Sequence, residues 1–214
     1  MRCFLTLLVV TAWWIPTQSR CFAQQTATEP AAVATDDREA IDTVAGRTIE
    51  QYAELLGSDN RVVRLRAVKS LGAFGQQAGE VLKTALGHQD RAVAYTAAVH
   101  LGRIGGEPLK SAIEPLTELA ENKDSLSLRM AGAFALCRAG QLDQRLSVLT
   151  GAITYPDRGT ACSAAELIGM IGPDAKAAIG VLEKTQADND PEKRNGDYHV
   201  GGAASNALRK IRGE

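Results

Sequence analysis

The sequence predicts an all-α fold, a solenoid of about five stacked helical hairpins. Three observations carry that prediction. First, a short anchor recurs at the ends of apolar segments: Leu71-Gly72-Ala73-Phe74-Gly75, Leu101-Gly102-Arg103-Ile104-Gly105, Leu136-Cys137-Arg138-Ala139-Gly140 and Ile168-Gly169-Met170-Ile171-Gly172. A degenerate fifth copy is Leu208-Arg209-Lys210-Ile211-Arg212, and the spacings are 30, 35, 32 and 40 residues. A fixed period of this size is the mark of a repeat architecture. Second, the residue four before each anchor is small (Ala67, Ala97, Gly132, Ala164, Ala204), and the residue three after it is apolar. Those offsets share one helical face. Third, 34 of the 214 residues are Ala and 20 are Gly, whereas aromatics are 5%. Small apolar residues suit close-packed helices and leave a β-sandwich short of the side chains its strands need.

The N-terminus reads as an export signal. Arg2 precedes a run of about 13 mostly apolar residues, Cys3 to Ile15, then Pro16, a polar stretch and Cys21-Phe22-Ala23. A positive start, a short apolar core and a small residue at the cleavage site form the plan of a secretory signal peptide. The run is shorter than the roughly 20 residues that span a bilayer, so residues 1–23 are expected to be cleaved rather than kept as an anchor. Cleavage near Ala23 removes Arg2, Arg20 and both tryptophans, taking the net charge from −1 to −3 and leaving Cys137 and Cys162 as the only cysteines.

Residues 24–46 read as a flexible spacer followed by the start of an N-terminal helix. Gln24 to Thr35 lack periodicity, and Asp36-Asp37-Arg38-Glu39 supplies acids suited to a helix N-terminus. The repeats occupy 47–214. Each pairs a short amphipathic first helix with a second helix ending at Gly. The first helices are expected at Thr48–Leu56, Glu80–Leu86, Ile113–Ala120, Arg145–Ile153 and Ala177–Ala187. An aspartate stands eleven or twelve residues before each of the first four anchors (Asp59, Asp90, Asp124, Asp157). It suits a helix N-cap, and the closing Gly suits a left-handed residue beyond a helix end. One such hairpin cannot bury its own apolar face, so neighbours must stack.

The segment Asp59…Val63-Arg64-Leu65-Arg66-Ala67-Val68-Lys69-Ser70-Leu71-Gly72 resembles a HEAT repeat of the short form found in bilin lyases. Asp124…Leu128-Arg129-Met130-Ala131-Gly132 is similar. The resemblance spans roughly residues 47–212. It implies an α-solenoid with a hydrogen-bonded ladder between repeats, carried by Asp59, Arg64, Asp124 and Arg129. The equivalent positions Ala94 and Ala161 should interrupt it. It also implies that the second helices line the inner, concave surface.

Motifs for chemistry are absent. There is no phosphate-binding Gly loop, no His-Glu-x-x-His, no Cys-x-x-Cys and no Gly-x-Ser-x-Gly. His100 and Cys137 flank successive anchors, but position +1 is Gly in three copies, so Cys137 reads as a small residue in a tight slot. A nucleophilic pair also needs a third, orienting group. Cys137 and Cys162, about 10 Å apart along parallel helices at 1.5 Å per residue, are too distant for a disulfide. His88 reads as a solvated turn residue. Asp188-Asn189-Asp190-Pro191-Glu192 spaces acids as a calcium loop does, but Lys193 stands where that loop needs Gly, and His199 where it needs Glu.

The exposed side of the second helices is therefore the candidate site. Positions −6, −2 and +2 from the anchors place Tyr95, Val99, Met130 and Phe134 beside Arg103 and Arg138. Aromatic, Met and Arg side chains are those that protein interfaces enrich. The expected function is an exported, non-catalytic interaction module that binds a protein partner without cofactor or metal. Near-neutral charge argues against nucleic acid, and no membrane contact is expected after cleavage. Two alternatives remain. Tyr95 to Gly102 resembles HEAT segments appended to secreted bacterial sulfatases, which implies an accessory of a hydrolase acting in trans. HEAT-like bilin lyases and alkylpurine DNA glycosylases imply that the fold also permits catalysis. N-terminal sequencing of the exported protein is expected to begin at Gln24; a mature chain that still begins with Met1 would overturn the cleavage reading.

Overall fold

The computed structural model describes residues 41–190, 192–193 and 196–214. The signal segment 1–23, the spacer and Asp36–Glu39 lie outside these residues. Five hairpins follow one another. They are α1 (Ile49–Leu56) with α2 (Arg61–Leu71), α3 (Gly79–Ala85) with α4 (Arg91–Ile104), α6 (Ile113–Ala120) with α7 (Leu126–Arg138), α8 (Leu142–Ile153) with α9 (Arg158–Ile171), and α10 (Ile179–Asp188) with α11 (Tyr198–Arg212). The third hairpin carries an additional short helix, α5 (Gly106–Ser111), that the periodicity does not announce. Ahead of α1 the chain makes a tight turn at residues 44–47. Val44 and Arg47 exchange backbone bonds, Ala45 and Gly46 take φ of 48° and 75°, and the Tyr52 hydroxyl donates to the Val44 carbonyl at 2.9 Å.

The first helices of the hairpins form an outer layer and the second helices an inner one. Successive second helices (α4 on α7, α7 on α9, α9 on α11) pack extensively, while successive first helices barely touch. A two-layered stack joined tightly along one side and loosely along the other must curl toward the tight side. The second helices therefore line the concave face.

Two columns of small residues set this packing. The −4 column (Ala67, Ala97, Gly132, Ala164, Ala204) is buried throughout, and at Gly132 it faces the first helix of the same hairpin. A Cβ on Gly132 would stand 2.6 Å from the Ala120 nitrogen and 2.8 Å from the Leu116 carbonyl of α6. The +1 column faces the next repeat instead. Gly72 lies against the His100 ring, Gly102 against Phe134 and Ala135, and Gly169 against Ala207. Beyond each of the first four anchors a glycine turns the chain, with φ of 60° at Gly75, 66° at Gly105, 95° at Gly140 and 78° at Gly172. At Gly75, Gly105 and Gly172 ψ lies between −133° and −151°, a region closed to residues with a Cβ.

The N-caps differ from the expectation at two of four aspartates. Asp90 and Asp157 cap α4 and α9, accepting from the Ala92 and Thr160 amides, and Asp197 caps α11. Asp59 and Asp124 do not cap. Asn60 and Ser125, one residue further on, take that role for α2 and α7. Standing one residue nearer the helix, Asn60 Oδ1 and Ser125 Oγ accept from the Val62 and Leu128 amides of the first turn, and the aspartates remain exposed in the turn before it.

The ladder is correspondingly different. Arg64 donates through Nη1 to the Ser58 and Asp59 carbonyls and through Nη2 to Asp90 Oδ2 at 2.8 Å, so it ties its own turn to the next repeat's cap. Arg61 reaches the same carboxylate at 3.3 Å. That cation pair and the Ala92 amide hold the Asp90 carboxyl below its usual range, with Arg64 the first cause. Arg129 bonds only the Asn122 and Lys123 carbonyls of its own turn among the described residues. The repeat-four link, expected to be lost at Ala161, is made from a different position, by Arg158 donating to Asp197. His88 is not simply solvated: its Nε2–H donates to the Leu56 carbonyl and its Nδ1 accepts from the Asp90 amide, bridging repeats one and two.

Adding a methyl at Gly132 forces α6 and α7 apart, because backbone atoms cannot yield. Gly132→Ala is expected to destabilise by about 1–3 kcal/mol. Gly151→Ala, inside α8 with nothing within 4 Å of its added Cβ, should stabilise by about 0.5–1 kcal/mol. Urea unfolding of both variants checks the contrast, and equal effects would contradict it.

Candidate functional site

The concave face over the middle repeats is narrower than the periodicity suggests. In α7 every residue from Met130 to Cys137 is buried, so Met130 (1% exposed) and Phe134 (0%) are not surface groups. This corrects their assignment to the partner-binding patch. Phe134 packs into the slot above Gly102 and belongs, with Met130 and Cys137, to an apolar core shared with α8, α9 and α11. The opposite side of α7, through Ala131, Ala135 and Leu136, closes a second core built on α1 to α6. A helix apolar all round is a buried helix. The unbroken apolar run Met130-Ala131-Gly132-Ala133-Phe134-Ala135-Leu136-Cys137 is the sequence feature that announces it.

Tyr95 and Val99 are half-buried and Arg103 and Arg138 are exposed. Tyr95 crosses above α7 toward α9. Burial pushes its hydroxyl pKa up, the Glu166 carboxylate adds to this, and Ser163 opposes it. Val99 packs against both cores. Beside Tyr95, toward the N-terminal ends of the inner helices, lies a cleft of about 550 Å³ whose lining includes Arg61, Arg91, Tyr95, Ser127, Asp157 and Ser163. At the other end of the helices, Lys69 of α2 and Arg103 of α4 flank His100, and Arg138 Nε donates to the Gly102 carbonyl at 3.3 Å. Cations from three successive helices therefore stand side by side.

Charge is divided between the layers. The five inner helices carry twelve Lys and Arg: four on α2, two each on α4 and α7, one on α9 and three on α11. Their single carboxylate is Glu166. The outer helices α1, α3, α5, α6, α8 and α10 carry nine acids and four cations. The near-neutral total is a sum over two oppositely charged layers.

The other candidates resolve locally. His100 turns back onto Gly72, while Cys137 enters the core with α8 and α9, so the two do not meet. Burial pushes the Cys137 thiol up to about 12, with Arg145 opposing weakly, which leaves no thiolate at neutral pH. Cys137 and Cys162 are both unbonded. In the 188–197 loop, Asn189 accepts from the Asp197 amide and donates to the Thr185 carbonyl, and Asp190 accepts from the Glu192 amide. Its polar groups serve the turn. Among the described residues no cluster of His, Cys, Asp and Glu is placed to hold a metal ion, and no helix is long and apolar enough to cross a membrane.

Burial lowers the His100 pKa to about 4, with Arg103 and Lys69 adding to the effect. The unfolded chain takes up a proton near pH 6.5 that the folded chain refuses until about pH 4. Stability from this group is therefore whole above pH 6.5 and is lost as pH falls toward 4. His100→Gln should flatten the fall in urea midpoint between pH 7 and pH 4.5; an unchanged slope would exclude His100 as its source.

Residues 49–137 match the family model described as HEAT repeats. No curated protein matches the chain. Among solved structures it is similar to an engineered protein at 23% identity, covering 76% of this chain and 78% of that one, with a TM-score of 0.47. A second engineered protein gives 25% identity, 77% and 47% coverage and a TM-score of 0.44. A designed armadillo repeat protein gives 14% identity, 76% and 99% coverage and a TM-score of 0.41. The matched stretch runs through the first three hairpins, which are therefore HEAT repeats.

Proposed function

We propose that the chain is an exported, non-catalytic interaction module that holds a protein partner on its concave face. The observation that carries this reading is the continuous inner face itself. Tyr95 and Val99 provide apolar ground on it, Arg103 and Arg138 stand exposed at its edge, and a cleft of about 550 Å³ opens beside Tyr95. Aromatic and Arg groups on a rigid surface are the anchors interfaces use, and a solenoid presents them preformed because each repeat packs on its neighbours. Rigidity lowers the ordering cost of binding. Phe134 supports the face from beneath without touching a partner. Export rests on the leader-like residues 1–23.

The test is affinity capture from the native extract with the full mature chain and an Arg103→Ala/Arg138→Ala variant. The variant should retain its helical circular dichroism and lose capture by at least about ten-fold, as expected for anchor residues. A folded variant that captures the same protein undiminished would move the interface elsewhere. Phe134→Ala serves as the contrasting control: it should cost about 3–5 kcal/mol of stability through the cavity it leaves.

A further inference from the structure

The inner layer is basic beyond what helix stability explains. Lys69, Arg103 and Arg138 lie in last turns, where a cation offsets the helix dipole. Arg61, Arg91 and Arg158, however, stand at the first position of α2, α4 and α9, where the dipole disfavours a cation. No inner helix has an acid in its first turn. Arg61 and Arg158 are offset by the next repeat's cap. Among the described residues, Lys69, Arg91, Arg103 and Arg138 have no carboxylate within ion-pair distance. The outer layer, by contrast, places Glu50, Glu80, Glu107, Glu114 and Asp143 in its helices' first turns, as the dipole prefers.

We propose that the concave face binds an extended acidic segment of a protein partner, whose carboxylates meet Lys69, Arg103 and Arg138 on three successive inner helices. The proposal deepens the interaction reading above and rests on it. Packed helices lie about 8–10 Å apart. A polyproline II chain presents the same side every three residues, and at about 3.1 Å per residue that is a step of about 9 Å. An acid at every third residue of such a segment finds one cation per helix, and Val99, one turn before Arg103 on α4, supplies apolar ground for the residues between. Unpaired cations on a curved face also concentrate the positive field there, which speeds encounter with an acidic partner and disfavours basic ones.

The probe is a fluorescein-labelled peptide of four Glu-Pro-Pro triplets, with a Gln-Pro-Pro peptide of the same length as its neutral match. Anisotropy with the full mature chain should show the Glu peptide binding at least about ten-fold tighter than the Gln peptide, and weakening as salt rises. Lys69→Glu/Arg103→Glu/Arg138→Glu should abolish the difference, while Glu114→Lys/Glu118→Lys on the outer layer should leave it intact. If the triple reversal fails to fold, Lys69→Gln/Arg103→Gln takes its place and should narrow the preference. Equal binding of the two peptides, no binding of the Glu peptide up to about 1 mM, or tighter binding of a DNA duplex of about 20 base pairs would overturn the proposal. If the peptide fails while native capture still depends on Arg103 and Arg138, the partner's chemistry is wrong and the interaction reading stands. Loss of that dependence would remove the interaction reading itself.

Discussion

The close approach of α7 to its neighbours is the constraint on which the rest of the structure depends. Gly132 sits against backbone atoms of α6, and Gly102 of α4 receives the ring of Phe134 from α7. With no Cβ at either point, α7 sinks until both of its flanks are covered, and two apolar cores meet on it. Each core alone belongs to about half the repeats. A helix shared by both makes the stack continuous, and continuity is what allows a repeat protein to present one rigid face. The burial of Met130 and Phe134 follows directly, as does the bridging of Tyr95 above them.

The two small-residue columns do different work, and their difference sets the curvature. The −4 column, at Gly132, sets how near the two helices of that hairpin lie, and the +1 column sets how near one repeat's inner helix lies to the next. Because the second column runs only along the inner layer, the inner helices crowd while the outer ones spread. The glycines after the anchors then release the chain into the next outer helix through conformations other residues resist. Polar links complete the inner edge at the helix starts, where Asp90 and Asp197 each cap a helix and accept an arginine from the preceding repeat. One carboxylate thus satisfies backbone donors and joins neighbours at once.

Electrostatics follow the same division of layers. The outer helices place acids in their first turns, which suits their dipoles and faces solvent. The inner helices accumulate cations that intrahelical energetics do not require. A formal charge of −1 conceals this entirely. Curling brings the cations of α2, α4 and α7 toward one another, so a pattern that is diluted along the chain becomes a concentrated feature of one face.

The repeat, the all-α class, the five hairpins and the helix-ending glycines were legible in the linear chain, because anchor spacing, helical periodicity and glycine's backbone freedom act locally. The small −4 and +1 positions were legible for the same reason, including Cys137 as an occupant of a slot. Three things were decided only by the tertiary structure. Periodicity assumes a single buried face, so it placed Met130 and Phe134 outside, whereas the stretch of α7 packed between two cores, Met130 to Cys137, has no exposed side. Cap and ladder roles passed from Asp59 and Asp124 to Asn60, Ser125, Asp90 and Arg158, because a shift of one residue or a partner a repeat away satisfies the same groups. Charge segregation emerged last, since only the folding of alternate helices into separate layers gathers distant cations onto one surface.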